Sequence, residues 1–160
     1  MHIATKSSKF NISKKKNLEK VVLKILSKIK IGDSILLYGD IGIGKTTSAR
    51  IFINKLQKKK KLKVSEVPSP TFNIVHEYFI NDILVSHYDL YRLSSKDECN
   101  SIGIHEDTDK KITIVEWSEK LDKKPINRLE LYFEYKNNYI SRSLSIESYG
   151  RCKKYEIFKK

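Results

Sequence analysis

The stretch YGDIGIGKTTSAR, residues 38 to 50, sets Gly39, Gly44, Lys45 and Thr46 at the fixed positions of the pattern GxxxxGK[ST]. Residues of these types at this spacing cradle phosphates. The glycines permit backbone conformations and a close approach that a side chain would block, so the amides of Asp40, Ile41, Gly42, Ile43, Gly44 and Lys45 can wrap the anion. Lys45 is placed to reach the outer phosphates as a point charge. The Thr46 hydroxyl is a candidate ligand for Mg2+, and Thr47 follows it into a helix whose positive dipole end faces the anion.

Mg2+ at such a loop takes further help from an acid at the C-terminal end of a neighbouring buried strand. Two segments offer one: ITIVE ends on Glu116 and ILVSHYD ends on Asp89. Either could ligate the metal, directly or through water, while the other orients an attacking water as general base. Trp117, the only tryptophan, directly follows Glu116 and is a candidate gate. Thr71, in a loop stiffened by prolines, could carry a second hydroxyl towards the phosphates as switch loops do. His76 and His87 are single histidines on strand-like segments and read as structural residues.

The elements that must hold these groups follow from pattern. Leu18, Val21, Val22, Ile25, Leu26 and Ile29 recur at helical spacing, which predicts an amphipathic helix over 15–30 with a lysine-rich outer face, broken by IGD at 31 to 33. SILLY, residues 34 to 38, is a short continuous apolar run of the kind that makes a strand buried on both faces, and it feeds into Gly39. The helix after the glycine loop carries Ala49, Ile51, Phe52 and Leu56 inward and ends in the QKKKKLK run, whose charge suits a helix C-terminus. KVSEVPSPTF, with two prolines in three residues, is loop or extended chain. NIVHEYFI and ILVSHYDLY form a hairpin turning at Asn81 and Asp82, and SSKDECNSIGI a short helix capped by Ser95 or Ser94 and stopped by Gly103. KITIVEW is a buried strand, and RLELYFEY with SRSLSIESY a closing hairpin. The expectation is one α/β domain over residues 1–160, a P-loop NTPase with a central mostly parallel sheet, antiparallel additions and flanking helices. The tail from about 150 to 160 would be an extra basic segment.

A chain of 160 residues is long enough to bury a core, and 39% hydrophobic with 32% charged residues is a globular composition. No apolar run spans a bilayer, and MHIATKSSKFNISKKK has no apolar leader core, so a cytoplasmic protein is expected. Cys99 and Cys152 match no metal spacing and no CxxC pair, which fits reduced thiols. The net charge of +13, gathered in KKK at 14 to 16, KKKKLK at 58 to 63 and RCKKYEIFKK, fits contact with nucleic acid, or lysines that only solvate surfaces. Only five of the 32 basic residues are Arg, the better reader of bases and phosphates, so any nucleic-acid contact is expected to be indirect or weak.

Taken together, LYGDIGIGKTT, VPSPTFNIVHEY, HYDLYRL, SIGI and VEWSEK occur in one order at compact spacing, and over residues 34 to 120 the chain resembles the TsaE family. The resemblance implies a cytoplasmic ATPase subunit for threonylcarbamoyl modification of tRNA adenosine 37, using ATP and Mg2+ and working with TsaB and TsaD. It implies that Thr46 and Glu116 hold Mg2+ and that Asp89 is needed for hydrolysis. The SPTF and EW segments, with Thr71 and Trp117, would be nucleotide-responsive switches. The transfer itself would belong to TsaD, with ATP turnover resetting the complex. The chain departs from the family at Ser118, where members often carry proline, which would loosen the loop after Trp117. It also departs at SKKKN, which leaves the adenine contacts unplaced, with Ser13 and Arg142 as the only base-pocket candidates.

Other readings have sequence counterparts. A small-molecule or nucleoside kinase needs cationic groups around the transferred phosphoryl, yet only Arg50 and Arg92 lie in the central region and no lid-like insertion is visible. A GTPase is disfavoured because NKLQ at 54 to 57 lacks Asp and comes too early to read guanine. A basic RNA-binding module with a vestigial nucleotide site would depend on the lysine runs and not on Lys45.

Overall fold

The structure, a computed structural model, describes residues 5–6 and 9–157. The chain runs β1 (Thr5–Lys6), β2 (Phe10–Asn11), α1 (Lys15–Leu26), β3 (Ser34–Tyr38), α2 (Lys45–Lys59), β4 (Val75–Ile80) and β5 (Ile83–Asp89). It continues through α3 (Lys96–Ser101), β6 (Lys111–Glu116), β7 (Arg128–Lys136) and β8 (Ser141–Tyr149). These strands join one sheet in the order β1-β8-β7-β3-β6-β5-β4, with β2 also on β8. Its four central strands, β7, β3, β6 and β5, are parallel, and the outer pairings are antiparallel. The expected α/β architecture is therefore the observed one.

Each face of the sheet has its own apolar layer. Ile35, Leu37, Ile114, Leu129, Leu131 and Ile146 lie under α1 and α2, which present Leu18, Val22, Ile25, Phe52, Ile53 and Leu56. The opposite face packs Leu36, Tyr88, Leu90 and Val115 against Cys99 of α3, Ile104 and Leu121. β3, buried from Ser34 to Leu37, contributes alternate residues to both, which is why it reads as a continuous apolar run rather than an alternating one.

The sequence places most boundaries within a few residues. β4 and β5 turn at Asn81, which takes a left-handed φ of 55°. Ser95 caps α3 by accepting the Glu98 amide, while the Glu98 carboxylate accepts the Ser94 amide. α1 ends earlier than its periodicity predicts, at Leu26: Ser27 closes it, with its hydroxyl bonded to the Lys24 carbonyl, and Ile29 packs on the core from the turn beyond. No helix among the described residues is long and apolar enough to cross a membrane.

The C-terminal stretch is tied into the fold as far as it is described. Residues Gly150–Tyr155 form a 3-10 turn that buries Cys152 and Tyr155. Asp33, fully buried ahead of β3, accepts hydrogen bonds from the Lys30 amide, from Arg151 Nε at 2.7 Å and from the Tyr155 hydroxyl. The rest of the tail, residues 158–160, and most of the first eight residues lie outside the described residues. Removing one member of a buried polar cluster strands its partners. Asp33→Ala is expected to lower stability by about 2 to 4 kcal/mol in urea unfolding while leaving the glycine-loop cleft intact; a loss within about 0.5 kcal/mol would refute the clamp.

Candidate functional site

The strand order carries the predicted residues to one place. β3 lies between β7 and β6, and β5 pairs with β6 so that Asp89 stands opposite Glu116. All three strands point the same way, so the glycine loop after Tyr38 and both acids emerge at one sheet end, where ligands of open parallel sheets bind. There a cleft of about 320 Å3 is lined by Ile41, Gly42, Gly44, Lys45, Thr46, Thr47, Ser69, Thr71, Asp89, Tyr91, Glu116 and Trp117.

The glycine loop has the conformation that its sequence requires. Gly44, at φ 126°, is the residue from which α2 starts, and a side chain there would be strained. At Gly39 a Cβ would come within 2.8 Å of the Phe133 carbonyl oxygen, so only glycine lets the loop lie against β7. Gly39, Asp40 and Ile43 do not line the cleft. The first two turn their carbonyls onto Lys45 Nζ, and Ile43 buries its side chain in the core.

Lys45 is nearly buried, and its ammonium lies 3.9 Å from the centre of the Trp117 ring. Burial holds its pKa below the ordinary lysine value, and the nearby Glu116, Glu119 and Asp89 charges oppose that shift. Trp117 itself sits at φ 59°, the left-handed turn that ends β6.

The two acids are buried and separately partnered. Glu116 Oε2 accepts the Thr46 hydroxyl at 2.9 Å, and Oε1 lies 2.8 Å from His87 Nε2. Asp89 Oδ2 accepts from Ser69 at 2.6 Å and from Thr71 at 3.0 Å, while Oδ1 accepts the Tyr91 amide. Thr71 is thus brought to the site, but through Asp89. A hydroxyl and a carboxylate side by side form the hard oxygen donor set that suits Mg2+, which completes its shell with phosphates and water rather than with a protein cage. No cluster of three or more His, Cys, Asp or Glu side chains among the described residues is arranged to hold a metal.

The sequence model described as "Threonylcarbamoyl adenosine biosynthesis protein TsaE" matches residues 12–144. The chain belongs to the TsaE family. Curated relatives named tRNA threonylcarbamoyladenosine biosynthesis protein TsaE include one from Rickettsia felis, 32% identical over 108 residues, or 68% of this chain and 61% of that protein. One from Haemophilus influenzae is 38% identical over 100 residues, 60% of each chain. The chain thus spans about three fifths of the length of these two relatives. In fold, it matches the crystal structure of Bacillus subtilis YdiB with a TM-score of 0.70 at 23% identity, over 98% of this chain and 93% of that one.

Against this TsaE framework, three residues of the site had been missed. Ser69 belongs to the same SPTF loop as Thr71, two residues away, which was signal enough for a paired hydroxyl. Tyr91 stacks obliquely on Trp117, ring centres 5.0 Å apart. His87, read as structural, contacts Glu116 directly. Ser118 does not loosen its loop: its hydroxyl accepts the Leu37 amide and donates to the Val115 carbonyl, pinning the turn after Trp117 to β3 and β6. Ser13 and Arg142 meet each other, the Arg142 amide donating to the Ser13 hydroxyl, but neither lines the cleft. The His76 ring lies 2.9 Å from the Asn73 side-chain amide.

Asp89 is therefore the anchor of the SPTF loop. Hydrogen exchange on Asp89→Ala is expected to show faster exchange across residues 68 to 73 with α2 unchanged. Unaltered protection of that loop would show that the two hydroxyl contacts do not hold it.

Proposed function

We propose that this TsaE-family chain binds and slowly hydrolyses ATP with Mg2+ in the pathway that makes threonylcarbamoyladenosine in tRNA, as a subunit acting on TsaB and TsaD. The observation that carries the reading is the convergence of Lys45, Thr46, Glu116 and Asp89 on one cleft beside the glycine loop. The names of the curated relatives supply the pathway. The amides of residues 40 to 45 would hold the phosphates, and Thr46 and Glu116 the metal, which supplies charge neutralisation at the reacting phosphate. Asp89 would orient the attacking water. Its carboxylate is bound to the hydroxyls of the loop that carries Thr71, so the position of that loop and of the base are set together. Trp117 covers Lys45, which supports its part as the second switch.

A partner-dependent enzyme fits the rest of the cleft. No arginine among the described residues lines it, which favours a stimulating arginine supplied by a partner. Ile41, Phe72 and Tyr91 are exposed near its mouth, apolar surface suited to cover by another protein. The transfer reaction is assigned to TsaD, with ATP turnover here resetting the complex between rounds. A cytoplasmic location accords with this role. A kinase reading lacks a cationic lid.

Two outcomes test the assignment. Glu116→Ala is expected to lose Mg2+-dependent nucleotide binding, whereas Asp89→Ala binds normally and turns over at least about tenfold more slowly, as read by calorimetry and phosphate release. The opposite pattern would exchange the two roles. In bacteria depleted of their own TsaE, the wild-type chain supplied with its cognate TsaB and TsaD is expected to restore threonylcarbamoyladenosine in bulk tRNA by mass spectrometry, and Lys45→Ala is not. Equal restoration by both would remove the nucleotide from the mechanism.

A further inference from the structure

His87 occupies an unusual position for a histidine. It lies in the middle of β5, fully buried, with Ile114 opposite on β6 and His76 opposite on β4. Its Nε2 is 2.8 Å from Glu116 Oε1, and its Nδ1 is buried with no hydrogen-bond partner among the described residues. A half-satisfied ring in a dry interior is costly, and an aliphatic residue of similar size would fill the same space among Ile114 and its neighbours without that cost. Among the described residues, the one polar group that the ring serves is the Glu116 carboxylate. Alternation along β5 puts His87 and Asp89 on one face, and the register puts Asp89 beside Glu116, so the sheet itself delivers the imidazole to the carboxylate from below.

We infer that His87 is a positioning residue, whose Nε2–H holds Glu116 Oε1 so that Oε2 is presented to Thr46 and to the divalent cation. This rests on the reading of Glu116 and Thr46 as the Mg2+ pair. A carboxylate only accepts, so the contact fixes the hydrogen on Nε2. With Oε1 engaged, the carboxylate cannot swing about its own bond, and Oε2 stays within 2.9 Å of the Thr46 hydroxyl. The backbone of β6 alone does not fix that rotation. Residues that orient a metal ligand through its second oxygen or nitrogen are worth about 10- to 100-fold in metal affinity, and here the service falls on the side of the carboxylate away from the cleft.

The test uses the full chain, a fluorescent ADP analogue, and a Mg2+ titration alongside a measurement in EDTA. His87→Leu removes the donor at similar volume; His87→Gln puts an amide N–H near the place of Nε2, and His87→Asn puts it near Nδ1 instead. The expected result is that His87→Leu and His87→Asn bind the analogue in EDTA as wild type does but need about tenfold more Mg2+ for the metal-dependent gain, with His87→Gln close to wild type. Because the Gln and Asn variants bracket the donor position, the comparison stands even where the Leu variant does not fold. Equal Mg2+ dependence in Asn, Gln and wild-type proteins would overturn the inference and leave the metal pair standing. Equal weakening of Asn and Gln variants, or a loss of the same size in EDTA, would overturn it in favour of a purely structural histidine. A wild-type chain whose binding does not respond to Mg2+ would overturn the metal reading itself, and this inference with it.

Discussion

Everything at the cleft depends on the register of β6 between β3 and β5. In the parallel pairing, Leu37 lies beside Glu116 and Glu116 beside Asp89, so the penultimate residue of β3 and the last residues of β6 and β5 share one row. A shift of one residue would turn both acids to the opposite face, among Tyr88, Leu90 and Val115, away from Lys45 and the hydroxyl loop. The register is held by the apolar alternation on both faces. Two buried carboxylates side by side repel, and burial opposes charge on each. The structure meets this by giving each acid its own donors, Thr46 and His87 for Glu116 and two hydroxyls with an amide for Asp89, and by placing the Lys45 ammonium close to both.

The same row explains how the loop ahead of β4 is held. Ile74 has φ 67°, a left-handed conformation that a β-branched residue adopts only at a cost of about 1 to 3 kcal/mol. Its amide donates to the Pro70 carbonyl, its own carbonyl accepts the Asp89 amide, and Ser69 and Thr71 close on the Asp89 side chain. One residue at the end of β5 therefore holds the loop by both main chain and side chain. The strain at Ile74 is held against those contacts, and an event that takes the Asp89 carboxylate away from the hydroxyls leaves the main-chain bonds alone to keep Ile74 left-handed. The SPTF segment is thus coupled to the end of β5 by main-chain as well as side-chain hydrogen bonds.

Much of this was legible in the sequence, for reasons that also mark where legibility ended. SILLY before a glycine loop, KITIVE and ILVSHYD ending on acids, and the two hairpins are patterns of local periodicity and turn chemistry, and all of them form. Which strand stands beside which is not local. Until β5 is known to neighbour β6, nothing marks His87 as a companion of Glu116, although its spacing from Asp89 places it on the same face. Ser118 was misread for a similar reason: a serine in place of a proline reads as slack, and only the approach of β3 shows its hydroxyl bridging two strands. β1 and β2 are two residues each, too short for alternation to register, and their pairing is decided by the free edge of β8. α1 ends at a serine whose hydroxyl competes for the helix carbonyls, an effect that apolar periodicity does not report.

The polar atoms that a nucleotide and its cation would use are already engaged within the chain. Lys45 Nζ is on the Gly39 and Asp40 carbonyls and against Trp117, Thr46 is on Glu116, and Asp89 is on the hydroxyl loop. Binding at such a site is an exchange of bonds rather than a gain of them, and the net worth of each exchange is about 1 kcal/mol rather than the several of an isolated hydrogen bond. The arrangement also keeps a cationic and two anionic groups from facing a dry cleft unpaired, a far larger penalty. On the proposed assignment, phosphate charge and a divalent cation would therefore favour each other's entry. A phosphate that drew Lys45 away from its carbonyls would leave the two carboxylates less neutralised, and a cation held by Thr46 and Glu116 would restore the balance. The electrostatics of the cleft would thereby make cation and phosphate binding mutually reinforcing.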